Sequence, residues 1–309
     1  MAKILYFGKF KKLWDEEAIA RALENLGHKV VRVNERQSVN QSDESEYHRT
    51  FGMIDKSFDI FLYAKLQMLM NSEREAIFKK LGKLPGKKVC WIPDLYFGLR
   101  REHKVGTDLI FKSDYVFTPD GGHDDEFKRY RVNHHLLRQG IHKAFCYRAE
   151  PEKKYEYDVV FVGCYNSEWI YREQLCLWLR DNYNFKRFGE INTEEIRGDE
   201  LNKLYASAKI IIGDSVFSPH YWSNRIYETL GRGGFLIHPD IPGLSGEFHP
   251  YKHYIPYRLG DFNGLKEKID YYLKHPEERR KISDAALEHT KKNFIYEERV
   301  KSLLKIIND

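Results

Sequence analysis

The chain has 309 residues, which exceeds the usual size of one domain and favours two domains, each with its own core. Hydrophobic residues make up 42% and charged residues 31%, so we expect a folded globular protein rather than a disordered or membrane-embedded one. The net charge of +5 is spread along the chain, which suits anionic substrates but lacks the basic tract of a dedicated nucleic-acid binder.

The N-terminus and the cysteines bear on location and metal chemistry. The opening sequence MAKILYFGKFKK becomes basic after its apolar run, the reverse of a signal peptide, and no run reaches the roughly 18 apolar residues of a membrane span. We therefore expect a cytoplasmic protein, and a peripheral position at the inner membrane face stays open. The four cysteines lie far apart without a CxxC pair, so we expect neither zinc nor a disulfide framework.

In the first half of the chain, apolar β-rich runs alternate with amphipathic helical ones. The polar stretch 37–55 predicts a loop with at most a short helix, and His134 and His135 are predicted to lie on an interdomain helix. The predicted strands are 4–7, 29–33, 58–63, 88–92 and 115–118, and the predicted helices are 15–26 and 72–81. This alternation predicts a parallel sheet with crossover helices.

After the charged segment 150–154 the same pattern restarts, which predicts a second α/β domain. From residue 262 the chain is predicted to be helical to its end, with Pro276 restarting the helix. The predicted strands are 158–162, 185–188, 209–212, 234–238 and 253–256, and the predicted helices between them are 167–180, 200–206 and 223–230.

Glycine-containing turns flank predicted strands at Gly8-Lys9, at Gly163-Cys164 and at 231–234. Glycine lets the backbone approach a phosphate closely, and a helix N-terminus supplies unpaired amides there. A purely steric role in tight turns is the alternative for each of them.

The segment 218–237 is the most informative one. Ser223 is predicted to cap a helix whose spacing places Asn224 and Glu228 on one face, with Arg225 in its first turn. The carboxylate could accept hydroxyls of a ribose or a sugar, and Arg225 could pair with a diphosphate. The alternative is an intrahelical pair of Arg225 with Glu228 on a solvated face.

Landmarks from Asp158 to Leu304 resemble the nucleotide-binding domain of group-1-type glycosyltransferases, most closely the branch named for the CgeB spore-maturation protein. In chain order they are VFVG (160–163), FGE (188–190), LYASAKI (204–210), SNRIYE (223–228), GRGGF (231–235), GD (260–261) and HPE (275–277). The order and spacing hold over about half of the chain, and the segment 137–141 lies where the family has its interdomain segment.

The resemblance implies an α/β fold of the GT-B type, with two facing Rossmann-like domains, parallel sheets and a C-terminal crossover helix. The acceptor-side domain would be 1–145, with the helix 296–309 packing back on it, and the nucleotide-sugar-binding domain would be 150–295. The implied donor-binding residues are Gly163, Cys164, Tyr165, Asn166, Arg172, Gly189, Glu190, Ile191, His220, Ser223, Asn224, Arg225 and Glu228, and Gly8 with Lys9 would form an acceptor-side loop.

Two of these positions leave alternatives open. Arg172 could be a phosphate partner, or it could form a surface pair with Glu168. Retaining members of the family usually carry two glutamates eight positions apart, and His220 occupies the earlier position here, so the stereochemistry of transfer is open.

Catalytic candidates in the first domain follow predicted strands, because loops at the carboxyl ends of parallel strands form the sites of such folds. Asp94 in WIPD is the first candidate and His123 in GGHD is its rival, either as the base of an inverting enzyme or as a group that orients the acceptor. A turn or cap residue for Asp94 and a solvated loop histidine for His123 are the alternatives.

The function expected from these observations is transfer of a sugar from a nucleotide sugar, a UDP-sugar being favoured, without a metal or another cofactor. A nucleotide-sugar epimerase of the same fold, or an inert sugar-nucleotide or glycan binder, are the alternatives. The acceptor could be a glycan, a protein, a lipid-linked intermediate or a nucleic acid, and the oligomeric state stays open.

Overall fold

The structure is a computed structural model that describes residues 1–34, 44–66, 71–164, 170–189, 196–216 and 218–309. The chain divides into a first unit of residues 1–138 with 296–309 and a second unit of residues 139–295. The strands are β1 Lys3–Gly8, β2 Lys29–Asn34, β3 Ile60–Tyr63, β4 Lys87–Trp91, β5 Tyr115–Thr118, β6 His134–Leu136, β7 Val159–Val162, β8 Phe185–Phe188, β9 Ile210–Ile212, β10 Leu236–Pro239 and β11 Ile255–Tyr257. The helices are α1 Asp15–Asn25, α2 Glu44–Met53, α3 Asn71–Leu81, α4 Lys104–Thr107, α5 Asp124–Arg129, α6 Ile170–Asn182, α7 Gly198–Ser207, α8 Arg225–Gly231, α9 Phe262–Lys274, α10 Pro276–Asn293 and α11 Tyr296–Asn308.

The first unit contains a six-stranded sheet in the order β2-β1-β3-β4-β5-β6, and every pairing in it is parallel. Its central strands are apolar on both faces because helices cover the sheet on both sides, as parallel sheets require. Leu5, Phe61 and Val116 are fully buried, for example. The hydrophobic pattern therefore predicts these strands well.

The helix α11 belongs to the first unit and packs against α1. Val300, Leu303 and Ile307 recur at helical spacing and are buried in the same core cluster as Ala18 and Leu23 of α1. The last helix of the chain thus completes one face of the first unit.

The second unit contains a five-stranded sheet in the order β11-β10-β9-β7-β8, again with parallel pairings throughout. The strand β9 lies at its centre, and its three isoleucines are completely buried. Pro276 stands in the first turn of α10, where a missing amide proton leaves no helical hydrogen bond unmade. The predicted fold class, two Rossmann-like α/β domains with parallel sheets, is confirmed.

Two local predictions for the first unit are wrong. His134 and His135 lie on the strand β6, which pairs with β5, and not on a helix; the ring of His135 packs on Phe117 at 5.4 Å between centroids. The stretch predicted as a loop with at most a short helix contains α2, which is 10 residues long. Tertiary packing decides the structure in both cases, and local sequence propensity predicts such packing poorly.

Across the described ranges, the structure contains no helix that is both long enough and apolar enough to cross a membrane.

Candidate functional site

A buried carboxylate and two arginines form a densely hydrogen-bonded polar cluster in the second unit. Asp214 follows β9 after a single glycine and is 1% exposed. Arg172 donates from Nε to Oδ2 of Asp214 at 2.6 Å and from Nη2 to Oδ1 at 3.1 Å. Arg225 contacts the same Oδ1 through Nη1. One carboxylate therefore holds two guanidinium groups.

The same two arginines also bind the turn that follows β7. Arg172 lies in the first turn of α6 and donates from Nη1 to the carbonyl oxygen of Cys164 at 2.5 Å. Arg225 is the first residue of α8 and donates from Nε to the carbonyl oxygen of Val162 at 2.6 Å. Because these bonds come from two different helices, the turn at Gly163 is held between them.

The carboxylate of this cluster is ionised. Burial by itself raises the pKa of Asp214, but Arg225 and Arg172 outweigh that effect, so the pKa lies below its ordinary value. The carboxylate is therefore charged at neutral pH and holds both guanidinium groups in place. Fixed guanidinium groups beside the Gly163 turn favour an anionic ligand there.

Two glycines let the turns of this site pack closely. A Cβ atom at Gly163 would lie 2.6 Å from Nη2 of Arg225, so the guanidinium group would have to shift to make room for a side chain. Gly189, directly after β8, has a φ of +91°, and a Cβ atom there would lie 3.2 Å from the amide nitrogen of Gly163. The two glycines let the turns after β7 and β8 pack against each other and against Arg225.

Glu228 pairs with Arg232 and not with Arg225. Arg232 donates from Nε and Nη2 to Oε2 of Glu228, at 2.9 and 2.6 Å. The alternative predicted from the sequence, an intrahelical pair of Arg225 with Glu228, is therefore wrong, because Arg225 turns inward to Val162 and Asp214. Among the described residues both bonds to Glu228 use Oε2, and 19% of its side chain is exposed, so within this part of the chain Oε1 is open to a ligand.

The predicted cap of α8 is wrong. Asn224, not Ser223, occupies the N-cap position, and it makes no side-chain capping bond. The backbone of Asn224 is already helical, and the carbonyl oxygen of Ser223 accepts from Ile226 at 3.3 Å. The Ser223 hydroxyl is buried without a hydrogen-bond partner in the described part of the chain.

His220 precedes this helix with a φ of +60°, and its Nδ1 lies 2.4 Å from where a Cβ atom of Gly243 would be. Arg172 is 5% exposed and donates to Asp214, and its predicted alternative, a pair with Glu168, involves a residue outside the described ranges. Glu168, Tyr165, Asn166, Glu190 and Ile191 lie outside the described residues.

Sequence reasoning missed two buried groups of the second unit. Asp214 could have been found, because it follows a predicted strand and a glycine just as Asp94 follows a strand. His238 on β10 is completely buried, and burial lowers its pKa to about 4. Its Nδ1 donates to the carbonyl oxygen of Pro239 at 2.9 Å, and its ring packs so closely on Gly213 that a Cβ atom there would clash.

In the first unit, Asp94 lies in the loop after β4 between two cations. Its Oδ2 contacts Nζ of Lys65 and lies 3.8 Å from Nη1 of Arg101, and all three side chains are about one-third exposed. His123 lies after β5 and stacks on Phe97 with 4.4 Å between ring centroids. Both candidates are thus found at carboxyl ends of strands, as predicted.

The predicted acceptor-side loop follows β1. Gly8 packs on Glu16, whose Cγ would lie 3.0 Å from a Cβ atom at position 8, and Nζ of Lys9 lies 6.0 Å from the ring centroid of Trp14. Over the described part of the chain, no three His, Cys, Asp or Glu side chains are grouped so that they could hold a metal ion.

Known proteins share both the sequence pattern of the second unit and the fold. A family model described as glycosyl transferase-like matches residues 138–305, which is more than half of the chain and includes the cluster around Asp214. The chain belongs to this glycosyl transferase-like family. Within it, the matched region covers the turn at Gly163, the helix α8 and the strands of the second sheet.

Trehalose synthase from Pyrococcus horikoshii is 25% identical over 166 residues, which are 52% of this chain and 39% of that protein. The chain therefore matches well under half the length of this relative.

Two solved structures share the fold over the whole chain. Sucrose-phosphate synthase from Thermosynechococcus elongatus has a TM-score of 0.66 at 11% identity and covers 100% of this chain and 98% of its own. Anabaena Alr3699/HepE, in complex with UDP and glucose, has a TM-score of 0.64 at 10% identity and covers 100% of both chains. At such low identity these similarities show the GT-B fold and no more.

Proposed function

We propose that this member of the glycosyl transferase-like family transfers a sugar from a nucleotide diphosphate sugar to a hydroxyl acceptor. The observation that carries the proposal is the Arg172–Asp214–Arg225 cluster at the turn after β7. It places two fixed guanidinium groups beside a close-packed glycine turn, which is the chemistry a diphosphate requires.

The diphosphate would lie over Gly163, within reach of Nη2 of Arg225. When the bond between sugar and phosphate breaks, negative charge develops on the leaving diphosphate, and preorganised guanidinium groups stabilise that charge. Arg172 and Arg225 are held in place by Asp214 before the ligand arrives, so little reorganisation is needed. We propose that this fixed positive charge makes a divalent metal unnecessary.

Glu228 is proposed to accept a hydroxyl of the ribose or the sugar through Oε1, since Arg232 occupies Oε2. Its pair with Arg232 fixes the orientation of the carboxylate. UDP is our first choice of nucleotide, because a protein of the same fold, Anabaena Alr3699/HepE, has been solved in complex with UDP and glucose.

On the acceptor side we propose Asp94 and His123 as the groups near the acceptor hydroxyl, with Gly8 and Lys9 in the adjoining loop.

We also propose that the chain lies in the CgeB-like branch of group-1 glycosyltransferases, because of the order and spacing of the landmarks from 160 to 277. Hexosyl transfer would follow from a UDP-hexose donor.

Titration calorimetry with UDP tests the donor site. We expect binding in the presence of EDTA, and Arg225→Met should weaken it about 10- to 100-fold, the effect of one hydrogen bond to a charged group. The matched control is Arg280→Met, whose guanidinium pairs with Asp284 on an exposed helix face. Binding only with magnesium or manganese, or equal losses in both variants, would contradict the proposal.

Incubation with UDP-glucose and no added acceptor separates the alternative functions. Slow release of glucose and UDP is expected of a transferase that uses water as a poor acceptor. An epimerised sugar nucleotide would indicate an epimerase, and binding without any turnover would indicate an inert binder.

A further inference from the structure

A buried asparagine of the second unit connects the helix α7 to the charged pair of Glu228 and Arg232. Asn202 lies on α7 and is 0% exposed. Its Nδ2 donates to the carbonyl oxygens of Phe145 and Tyr147, at 3.0 and 2.7 Å, and its Oδ1 accepts from Nη1 of Arg232. Both hydrogens of the side-chain amide and its oxygen are therefore in use.

The partners of Asn202 fix the orientation of its amide. A carbonyl oxygen can only accept, so the two carbonyls require the NH₂ group, and the amide oxygen must then face Arg232, which can only donate. The segment 145–147 is itself held to α7, because the hydroxyl of Tyr147 donates to Oδ1 of Asp199 at 2.7 Å. Asn202 therefore presents an acceptor to Arg232 from a fixed position.

The guanidinium group of Arg232 has partners at both of its ends. Nη1 donates to Asn202 and to the carbonyl oxygen of Gly198, the latter at 3.0 Å, and Nε and Nη2 donate to Glu228. Its Cζ atom lies over the ring of Phe145, 5.0 Å from the centroid, which is a favourable place for a cation. Arg232 is 3% exposed, so solvent screens these contacts little. One end of the group is held by α7, and the other end holds the carboxylate.

The pair between Arg232 and Glu228 uses one oxygen of the carboxylate. An arginine can bind both oxygens of a carboxylate through two parallel N–H groups, but here Nε and Nη2 both reach Oε2. A change to the two-oxygen arrangement would require the guanidinium group to move. Asn202 and Gly198 oppose such a movement, because they hold Nη1.

We infer that Asn202 is a positioning residue of the donor site: it holds the guanidinium group of Arg232, which directs Oε1 of Glu228 to a hydroxyl of the sugar nucleotide. This inference rests on the proposed function, in which Glu228 accepts that hydroxyl. Asn202 acts through Arg232, since the described part of the chain contains no hydrogen bond between the side chains of Asn202 and Glu228.

The benefit of this arrangement is preorganisation. A glutamate without a fixed partner loses rotamer freedom when it binds a hydroxyl, and that loss weakens binding. With Arg232 and Asn202 in place, the loss occurs on folding instead. The diphosphate does not depend on this carboxylate, because Arg172 and Arg225 would hold it. Asn202 should therefore affect ligands that carry hydroxyls and not a bare diphosphate.

Titration calorimetry with UDP-glucose and with inorganic pyrophosphate tests this difference. Pyrophosphate has the diphosphate without ribose or sugar, so it reports on the arginines beside Gly163 alone. We expect Asn202→Ala to weaken binding of UDP-glucose about 10-fold and to leave that of pyrophosphate within about twofold. Arg232→Lys keeps the buried charge but lacks the planar fork that spans Asn202 and Glu228, so it should give the same pattern. It also provides the test if Asn202→Ala does not fold.

The matched control is Arg148→Lys. Arg148 is a second largely buried arginine of this unit, and it donates to the carbonyl oxygen of Gly233 at 3.1 and 2.9 Å. In the described structure it makes no hydrogen bond to Asn202 or Glu228. Arg148→Lys should therefore change the two affinities by the same factor.

Glu228→Ala separates the inference from the proposed function. It should weaken binding of UDP-glucose about 10- to 100-fold, and in its background Asn202→Ala should have no further effect. Equal losses for the two ligands in Asn202→Ala and Arg232→Lys, or losses of Asn202→Ala and Glu228→Ala that simply multiply, would overturn the inference alone. Unchanged binding of UDP-glucose in Glu228→Ala, or none in the native protein, would refute the proposed donor site and the inference with it.

Discussion

Asp214 in the second unit and Asp120 in the first occupy equivalent places and behave in opposite ways. Each follows a strand that has a parallel neighbour on both sides, and each is at most 1% exposed. Both oxygens of Asp214 accept from guanidinium groups, whereas Asp120 accepts from two backbone amides through one oxygen and from nothing through the other, within the described chain. The pKa of Asp214 is lowered and that of Asp120 is raised.

The difference shows that burial alone does not decide the charge of a carboxylate. Burial raises the pKa in both cases, and only positive charge in direct contact reverses the effect. A fixed anion results at Asp214, suited to holding arginines for a diphosphate. At Asp120 the result is a buried carboxylate whose Oδ2 has no hydrogen-bond donor in the described chain.

The largest expected effect separates the two carboxylates at neutral pH. Asp214→Asn should destabilise the protein by about 3–5 kcal/mol, because it removes the buried anion that two buried guanidinium groups share. Urea unfolding at pH 7 measures the change. The control Asp270→Asn disrupts an exposed pair with Lys266 and should change stability by less than about 1 kcal/mol. A loss at Asp214 no larger than the loss at Asp270 would mean that the buried cluster contributes little.

The next prediction uses pH. Asp120 has its ordinary pKa in the unfolded chain and a raised pKa in the folded protein. The stability of the native protein therefore falls as the pH rises from the pKa of the unfolded state through the pKa of the folded state. Asp120→Asn has no such proton to lose. Relative to the native protein its Tm should therefore increase between about pH 3.9, the ordinary value of an aspartate, and neutral pH.

At Asp214 the sign is reversed, because a lowered pKa gives stability that is present above the unfolded value and is lost as the pH falls through the folded one. The advantage in Tm of the native protein over Asp214→Asn should shrink in acid. Calorimetry of all three proteins from pH 3.5 to 7 gives both slopes. If the Tm of both variants, relative to that of the native protein, changed with pH in the same direction, the predicted contrast between Asp120 and Asp214 would be wrong.

The smallest effect is expected at Asp94, which pairs with cations but is about one-third exposed. Asp94→Asn should change the unfolding free energy by no more than about 1 kcal/mol, since solvent screens such pairs. Cleavage of UDP-glucose should fall less in this variant than in His123→Gln. A larger loss of turnover in Asp94→Asn would indicate that Asp94, and not His123, meets the acceptor hydroxyl.

Much of the architecture could be predicted from local patterns. Apolar runs of four to six residues give the strands, and the apolar spacing of Val300, Leu303 and Ile307 indicates a helix with a buried face. The turn glycines Gly163 and Gly189 could also be identified, because glycine is favoured where the backbone closely approaches another segment of the chain. These features depend on residues near one another in the chain.

The partners of charged side chains could not be predicted in the same way. The sequence by itself determined that Arg172, Arg225 and Glu228 lie near the ends of strands and helices of a Rossmann-like domain. Only the tertiary structure decided that Arg225 joins Arg172 on Asp214, that Glu228 takes Arg232, and that Asp120 keeps one oxygen unused. Arg172 and Asp214 are 42 positions apart in the sequence, and they meet because parallel strands bring their carboxyl ends to one edge of the sheet. A charged side chain buried at that edge is costly unless it has an oppositely charged partner.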